Sequence, residues 1–129
     1  MKYDSADNAF SKFIRLRDSD ENGVCICITC RTRRHWSEMT CGHYIKRRYL
    51  ATRWEEENCA AQCYDCQRRE EGDPGFFEGH AKAMMQRFGF GVIARLSVKK
   101  NIHIKMTQAE VDEIAREYRE RVRELEDAS

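Results

Sequence analysis

The sequence predicts an α+β fold: a small β core clamped by paired cysteines, with additional helices at the N and C termini. Three observations carry that expectation. Two Cys-x-x-Cys turns, at Cys27 and Cys30 and at Cys63 and Cys66, bracket the middle of the chain. Between residues 24 and 45 the apolar residues come in short runs of the kind strands use. On either side of the core, apolar residues recur at helical spacing. At 129 residues the chain has room for one modest core plus a peripheral arm. Charged residues make up 35% of it, against roughly 25% in an ordinary globular protein. Apolar material is therefore thin, and a further staple is expected.

The elements follow in order. Residues 5–18 read as a short helix with Ser5 as its N-cap and Phe10, Phe13 and Ile14 on one face. Asn22-Gly23 breaks it, and 24–28 alternates toward a short strand that enters the first cysteine turn. Residues 35–45 read as a β-hairpin anchored by Trp36, Met39 and Tyr44. A polar connection, 46–58, leads to Cys63-Tyr64-Asp65-Cys66, which should open a helix that the Asp73-Pro74-Gly75 turn ends. Phe76, Phe77, His80, Ala81, Met84 and Phe88 give a mostly apolar helical face, and Gly89 and Gly91 divide it from a short VIARLSV run. Thr107-Gln108-Ala109-Glu110 is a capping box ahead of Val111, Ile114, Ala115, Tyr118, Val122 and Leu125. The other face of that last helix interleaves Glu113, Glu117, Glu120 and Glu124 with Arg116, Arg119, Arg121 and Arg123, the pattern of a solvated surface. By segment, 1–22 is an N-terminal helix, 23–74 the stapled core and 75–129 a helical extension, within one compact domain.

Cysteine usage indicates the staple. Seven cysteines suit a complete disulfide set poorly, the opening MKYDSADNAF is polar rather than signal-like, and no apolar run approaches membrane-spanning length. A cytoplasmic protein with reduced thiols is expected, with no membrane partner, and there paired cysteines mean metal. Two intervening residues let a tight turn aim both sulfurs at one ion. Cys27, Cys30, Cys63 and Cys66 together would make a tetrahedral, structural Zn²⁺ site. Cys25, Cys41 and Cys59 lie close enough in sequence for ligand swaps, and also make sense as small buried hydrophobes. Ordinary zinc ribbons span a gap of roughly 15–20 residues. Here 32 residues separate the two turns, and the insertion holds His43 and most of the basic block. Function is to be sought there.

The formal net charge of +1 conceals a segregated pattern. Residues 31–54 carry seven Lys or Arg against one acid, Glu38. Residues 55–78 carry eight acids against Arg68 and Arg69, and 107–129 carry eight acids against four Arg. A basic block is the footprint of a phosphate backbone, and acidic blocks repel one. Nucleic acid should meet the middle of the chain and avoid its end.

Taken in order, Cys27-x2-Cys30, Gly42-His43-Tyr44, Arg53-Trp54-x3-Asn58-x3-Gln62-Cys63-x2-Cys66-Gln67, Gly72 and the capped C-terminal helix resemble the lambdoid phage NinG/Rap recombination family. The likeness runs from Phe10 onward. The middle is also similar to HNH endonucleases with paired CxxC turns and to phage endonuclease VII. The resemblance implies a ββα-metal (His-Me finger) core grafted on a treble-clef-like zinc knuckle. It implies an HNH-type DNA endonuclease, a hydrolase acting on branched recombination intermediates such as Holliday junctions and D-loops, in a phage or prophage protein. It places His43 as general base, Asn58 as the residue pinning the intervening loop, and Gln67 where a ligand to catalytic Mg²⁺ or Mn²⁺ usually stands. Glu70, with Glu71 as a neighbour able to substitute, falls on a metal-binding carboxylate of endonuclease VII-like proteins. Two positions depart from the HNH pattern: Gly42 stands where an Asp or His usually precedes the base, and Gln67 replaces a better ligand.

A neutral imidazole suits the base role near pH 7, and one hard cation can stabilise both the transition state and the leaving oxygen. Arg34, Lys46, Arg47, Arg48 and Arg53 are the expected phosphate contacts. Tyr49 and Trp54 interleave aromatics with that charge, as a surface stacking on unpaired bases does; core packing is the plainer reading of Trp54. For His43 the plainer reading is a structural histidine or an auxiliary zinc ligand. His35 has a weaker case as a phosphate or metal contact, and His80 and His103 read as bland. Gly42 and Gln67 keep an alternative alive: a zinc-stapled binder of branched or single-stranded DNA that does not cleave. A homodimer through the C-terminal helix is compatible with either.

Overall fold

The structure, a computed structural model, describes residues 1–70 and 74–128, and the side chains of 74–77 fall outside that description. Glu71, Gly72, Asp73 of the expected turn, and the facing of Phe76 and Phe77 therefore lie outside the described residues. Helix α1 runs Asp4–Arg17 and buries Ala6, Ala9, Phe10, Phe13 and Ile14 at helical spacing. Its N-cap is Tyr3, with no side-chain cap bond, so Ser5 sits inside the first turn rather than capping it. Asp4 and Asp7 supply the first-turn negative charge that offsets the helix dipole.

Strand β1, Val24–Ile26, pairs antiparallel with β2, Arg33–His35. The strand expected over 24–28 stops two residues short because Cys27 already belongs to a turn. Its N–H donates to the Thr32 carbonyl at 2.8 Å, and its own carbonyl accepts from the Arg31 N–H at 3.1 Å. Arg31 closes that turn in the left-handed region, φ 68°.

The hairpin expected within 35–45 is not formed. His35 ends β2, Trp36–Glu38 make a single 3₁₀ turn, and β3, Met39–His43, pairs instead with β4, Cys59–Cys63. The register runs from Met39 opposite Cys63 to His43 opposite Cys59. All five β4 residues are buried, so the strand lacks the in–out alternation by which a half-exposed strand is recognised. Helix α2, Tyr64–Glu70, follows directly; then come α3, Pro74–Phe88, α4, Val92–Lys99, and α5, Gln108–Asp127. The VIARLSV run is thus helical. Both bonds of the Thr107 capping box are present.

The β3–β4 ribbon is covered on both faces. On one, Cys41 and Cys59 pack with Phe10, Phe13 and Ile14 of α1 and Tyr118 and Val122 of α5. On the other, Ala60 packs with Tyr44, Ile45, Met84, Val92 and Leu96, which brings α3 and α4 against the sheet. Segments 1–22, 23–74 and 75–129 consequently share their cores. Helix α5 lays its apolar face along α1, with Val111 and Ala115 on Ala6 and an edge-to-face contact of 4.9 Å between Tyr118 and Phe10. A homodimer through α5 would have to use its outer face, where Glu113 pairs with Arg116 and Glu120 with Arg123. Among the described residues no helix is long and apolar enough to cross a membrane.

Candidate metal centre and active site

The two CxxC turns converge. Cys27 and Cys30 come from the turn after β1, Cys63 from the last residue of β4 and Cys66 from the first turn of α2. Their four sulfurs all lie within 4.8 Å of one another. Cys30 Sγ is 3.7 Å from Cys63 Sγ, and the Cys63 N–H donates to Cys27 Sγ at 3.3 Å. Burial would raise the Cys27 thiol pKa, but backbone N–H groups of Cys30, Cys63 and Thr29 outweigh it and hold the group below its ordinary value. Burial and the neighbouring thiols push Cys66 the other way. Four crowded sulfurs cannot all ionise without a cation between them. Soft donors, tetrahedral number and mutual distances fit Zn²⁺, and with four protein ligands no position is left for chemistry.

A second feature is an open cleft of about 520 Å³. Its walls include Asn8, Ser11 and Arg15 of α1, Thr40, Cys41 and His43 of β3, Lys46 and Arg47 of the connection, Gln62 of β4, and Tyr64, Gln67 and Glu70 of α2. His43, at the end of β3, shares this cleft with Gln67 and Glu70. Its Nε2 is 2.9 Å from the Arg53 carbonyl oxygen. A carbonyl only accepts, so Nε2 carries the hydrogen and the neutral ring keeps its lone pair on Nδ1. Burial lowers the ring's pKa from the usual 6.5, against the upward pull of the Arg53 and Cys41 backbone. At neutral pH the imidazole is a free base.

Glu70 is the cleft's deep carboxylate. Its Oε1 lies 2.6 Å from His80 Nδ1, and its Oε2 accepts from Gln62 Nε2 at 3.2 Å. Burial would raise its pKa, but those two bonds hold the group below the ordinary carboxylate value, so it is charged. Gln62 Oε1, fully buried, has no hydrogen-bond partner among the described residues. A carboxylate with amide oxygens of Gln67 and Gln62 in one cleft is a donor set suited to a hard cation such as Mg²⁺ or Mn²⁺.

The remaining expected residues divide. Asn58 is fully buried and ties the connection together: its Oδ1 accepts from the Ile45 N–H at 2.8 Å, and Nδ2 donates to the carbonyls of Ile45 and Thr52. Lys46 and Arg47 reach the cleft. Arg48 does not line it and lies over the Tyr49 ring at 5.0 Å; Lys100 covers the same ring at 5.2 Å, which leaves little of Tyr49 for a base to stack on. Arg34 is exposed on β2, outside the cleft lining. Arg53 is a brace. It chelates Asp7, donates to the Arg47 carbonyl at 2.9 Å, and covers Tyr3 at 4.5 Å. Trp54 packs, partly buried, against the core, its Nε1 donating to Asp7 at 3.0 Å. His35 is exposed and engages Ser37, and His103 is exposed.

Sequence reading missed α1 as a wall of the cleft, and Gln62 and His80 as partners of Glu70. Nothing local marks them. Asn8, Ser11 and Arg15 look like any solvated helical face, and His80 becomes notable only when α3 packs behind α2. The structure also brings Cys41, His43 and Cys59 together, ligand atoms within 4.8 Å, because residues i and i+2 of β3 and the cross-strand partner share a face.

Over residues 2–128 the chain matches the family described as Bacteriophage Lambda NinG protein. No curated protein and no solved structure matches it. Both cysteine turns, His43 and the whole cleft lie inside the matched span. The chain belongs to the bacteriophage lambda NinG family.

Proposed function

We propose that this protein is a divalent-metal-dependent, structure-selective DNA endonuclease that cuts branched recombination intermediates such as Holliday junctions and D-loops. One observation carries the reading: His43 is a neutral imidazole oriented through Nε2, in a cleft that also holds the charged carboxylate of Glu70. The order β3, β4, α2 next to a tetrathiolate site agrees with a ββα-metal core. Membership of a phage family agrees with action on DNA.

In this reading His43 Nδ1 takes a proton from the attacking water, and burial keeps it available near pH 7. The Arg53 carbonyl holds the ring in the needed tautomer, and Asn58 holds the connection from which that carbonyl projects. Lys46 and Arg47 bind the phosphates flanking the scissile bond. Glu70 and Gln67 would hold a Mg²⁺ or Mn²⁺ ion, which when bound supplies charge relief at the phosphate and the leaving oxygen. Zinc in the thiolate site takes no part in chemistry.

The test is cleavage of labelled four-way junction and linear duplex with Mg²⁺, Mn²⁺ or EDTA. Junction cutting that needs added metal and is lost in His43→Ala is expected. Tight junction binding with no nicking under any metal would instead leave a DNA-binding module. A second reading has one observation behind it, the Cys41, His43, Cys59 cluster. Were a second soft ion held there, His43 would be a ligand rather than a base. Elemental analysis distinguishes them: about one zinc per chain for the nuclease, about two for the alternative.

A further inference from the structure

We propose that Gln62 and His80 belong to the cleft's cation site, Gln62 lending its unpaired amide oxygen as a ligand and His80 holding Glu70 in place. The inference rests on the nuclease reading above and names residues that reading does not need. Three polar side chains from β4, α2 and α3 meet in the interior: Gln62 and His80 are fully buried and Glu70 is 7% exposed. Among the described residues the buried side-chain polar atoms without a partner are Gln62 Oε1 and His80 Nε2, both in this cluster. Buried polar atoms are almost always paired, and the exceptions need a reason.

The orientation of Gln62 is determined by its neighbours. Its Nε2 donates to Glu70 Oε2 at 3.2 Å and to Thr29 Oγ1 at 3.0 Å, so both amide hydrogens are used. Turning the amide over would set its oxygen against a carboxylate. Oε1 must therefore face the other way, toward β3. There a Cβ at Gly42, the residue before His43, would lie only 2.7 Å from it. The absent side chain at position 42 leaves room that the amide oxygen occupies, and Gln62 lines the same cleft as His43 and Glu70. A buried amide oxygen with no donor among the described residues, in a cleft that also holds a charged carboxylate, is the kind of ligand a hard cation takes.

His80 acts through Glu70. Its Nδ1 donates to Glu70 Oε1, which fixes the carboxylate's rotation, and the Tyr44 ring packs edge-on against the imidazole at 5.6 Å. Hydrogen-bonded partners of this sort orient metal carboxylates, and their loss weakens metal affinity about 10- to 100-fold.

The experiment is Mn²⁺ binding to the full-length, zinc-loaded protein, read by the electron paramagnetic resonance signal of free Mn²⁺, with zinc content and thermal melts as fold controls. Gln62→Met keeps the shape and removes the oxygen; His80→Leu removes the donor; His80→Asn restores one near the Nδ1 position. We expect Gln62→Met and His80→Leu to bind about 10- to 100-fold more weakly, His80→Asn to recover most of the loss, and His43→Ala to bind as wild type. Should a variant not fold, substoichiometric Mn²⁺ added to wild-type protein should broaden the Gln62 side-chain amide signals while sparing α5. Wild-type affinity in folded Gln62→Met and His80→Leu, or an unbroadened Gln62 signal with Mn²⁺ bound, overturns this inference alone. Wild-type protein that takes up no Mn²⁺ overturns the metal-dependent nuclease along with it.

Discussion

The two candidate metal regions both draw on the β3–β4 ribbon and are built on opposite principles. The thiolate site draws its ligands from two local turns, and each turn aims its pair of sulfurs almost by itself. The cleft draws on β3, β4, α2, α3 and the connection, and every important group is held by a partner distant in sequence: His43 by Arg53, Glu70 by Gln62 and His80, the connection by Asn58. Four soft donors that leave no open coordination position suit structure; hard donors gathered along a cleft suit a labile cation. The two regions are thus separable in this molecule, although α2 takes part in both.

That separation can be broken or sharpened by experiment. The largest effect belongs to the thiolate site. A structural zinc contributes about 10 kcal/mol or more, comparable with the entire stability of a small domain at about 5–15 kcal/mol. Cys63→Ser should therefore lose its zinc and unfold, as seen by circular dichroism; a folded, zinc-free variant would overturn the staple. Gly42→Ala comes next. An added Cβ would meet Gln62 Oε1 at 2.7 Å, Gln62 Cβ at 2.8 Å and the Ala60 carbonyl at 3.1 Å. Overpacking of this kind costs about 1–3 kcal/mol, so the urea midpoint should fall while zinc content stays at one. An unchanged midpoint would mean the ribbon gives way freely.

The cleft should respond to pH through one imidazole. Burial lowers the His43 pKa below 6.5, so the base form dominates at pH 7 and the acid limb of the cleavage rate should have its midpoint below 6.5. The sign for stability follows: the unfolded chain takes up the proton more readily, so stability from this group is present above 6.5 and lost as pH falls toward the folded value. A limb centred above 6.5 would remove His43 as the base. On the proposed reading, Arg47→Ala should weaken junction binding about equally across sequences and lower the salt slope by about one, since its exposed guanidinium, 3.5 Å from Asp7, would make a single phosphate contact. An unaltered slope would take Arg47 off the DNA. The smallest effect is at Arg31, whose left-handed φ of 68° costs a side-chain-bearing residue about 1–2 kcal/mol. Glycine there removes that strain but loosens the unfolded chain, so Arg31→Gly should gain under about 1 kcal/mol in a denaturant melt, with zinc affinity preserved.

Several of these features were legible from residues alone. The tetrathiolate set follows from spacing, α1 from Phe10, Phe13 and Ile14, and α5 from its capping box and the period running from Val111 to Val122. The strand pairing is not legible in the same way. Residues 35–45 contain the right kinds of side chain for two strands, but Met39–His43 finds its partner beyond a connection of fifteen residues, at Cys59–Cys63. Arg53 reads as a phosphate grip because it is basic and aromatic-flanked; the sequence does not show that Asp7, forty-six residues earlier, pairs with it. His80 reads as one more residue on a helical face until Glu70 is seen beside it.

What this sequence by itself determined is whatever depends on neighbours within a turn or two: the cysteine turns, the amphipathic helices, the caps and the separation of charge along the chain. Tertiary structure alone decided which strand pairs with β3, which cations Asp7 holds, and which buried polar groups surround Glu70. The physical reason is range. Turn and helix geometry repeat every few residues and leave a period in the sequence, whereas a hydrogen bond between Gln62, Glu70 and His80 depends on three elements packing together and leaves none.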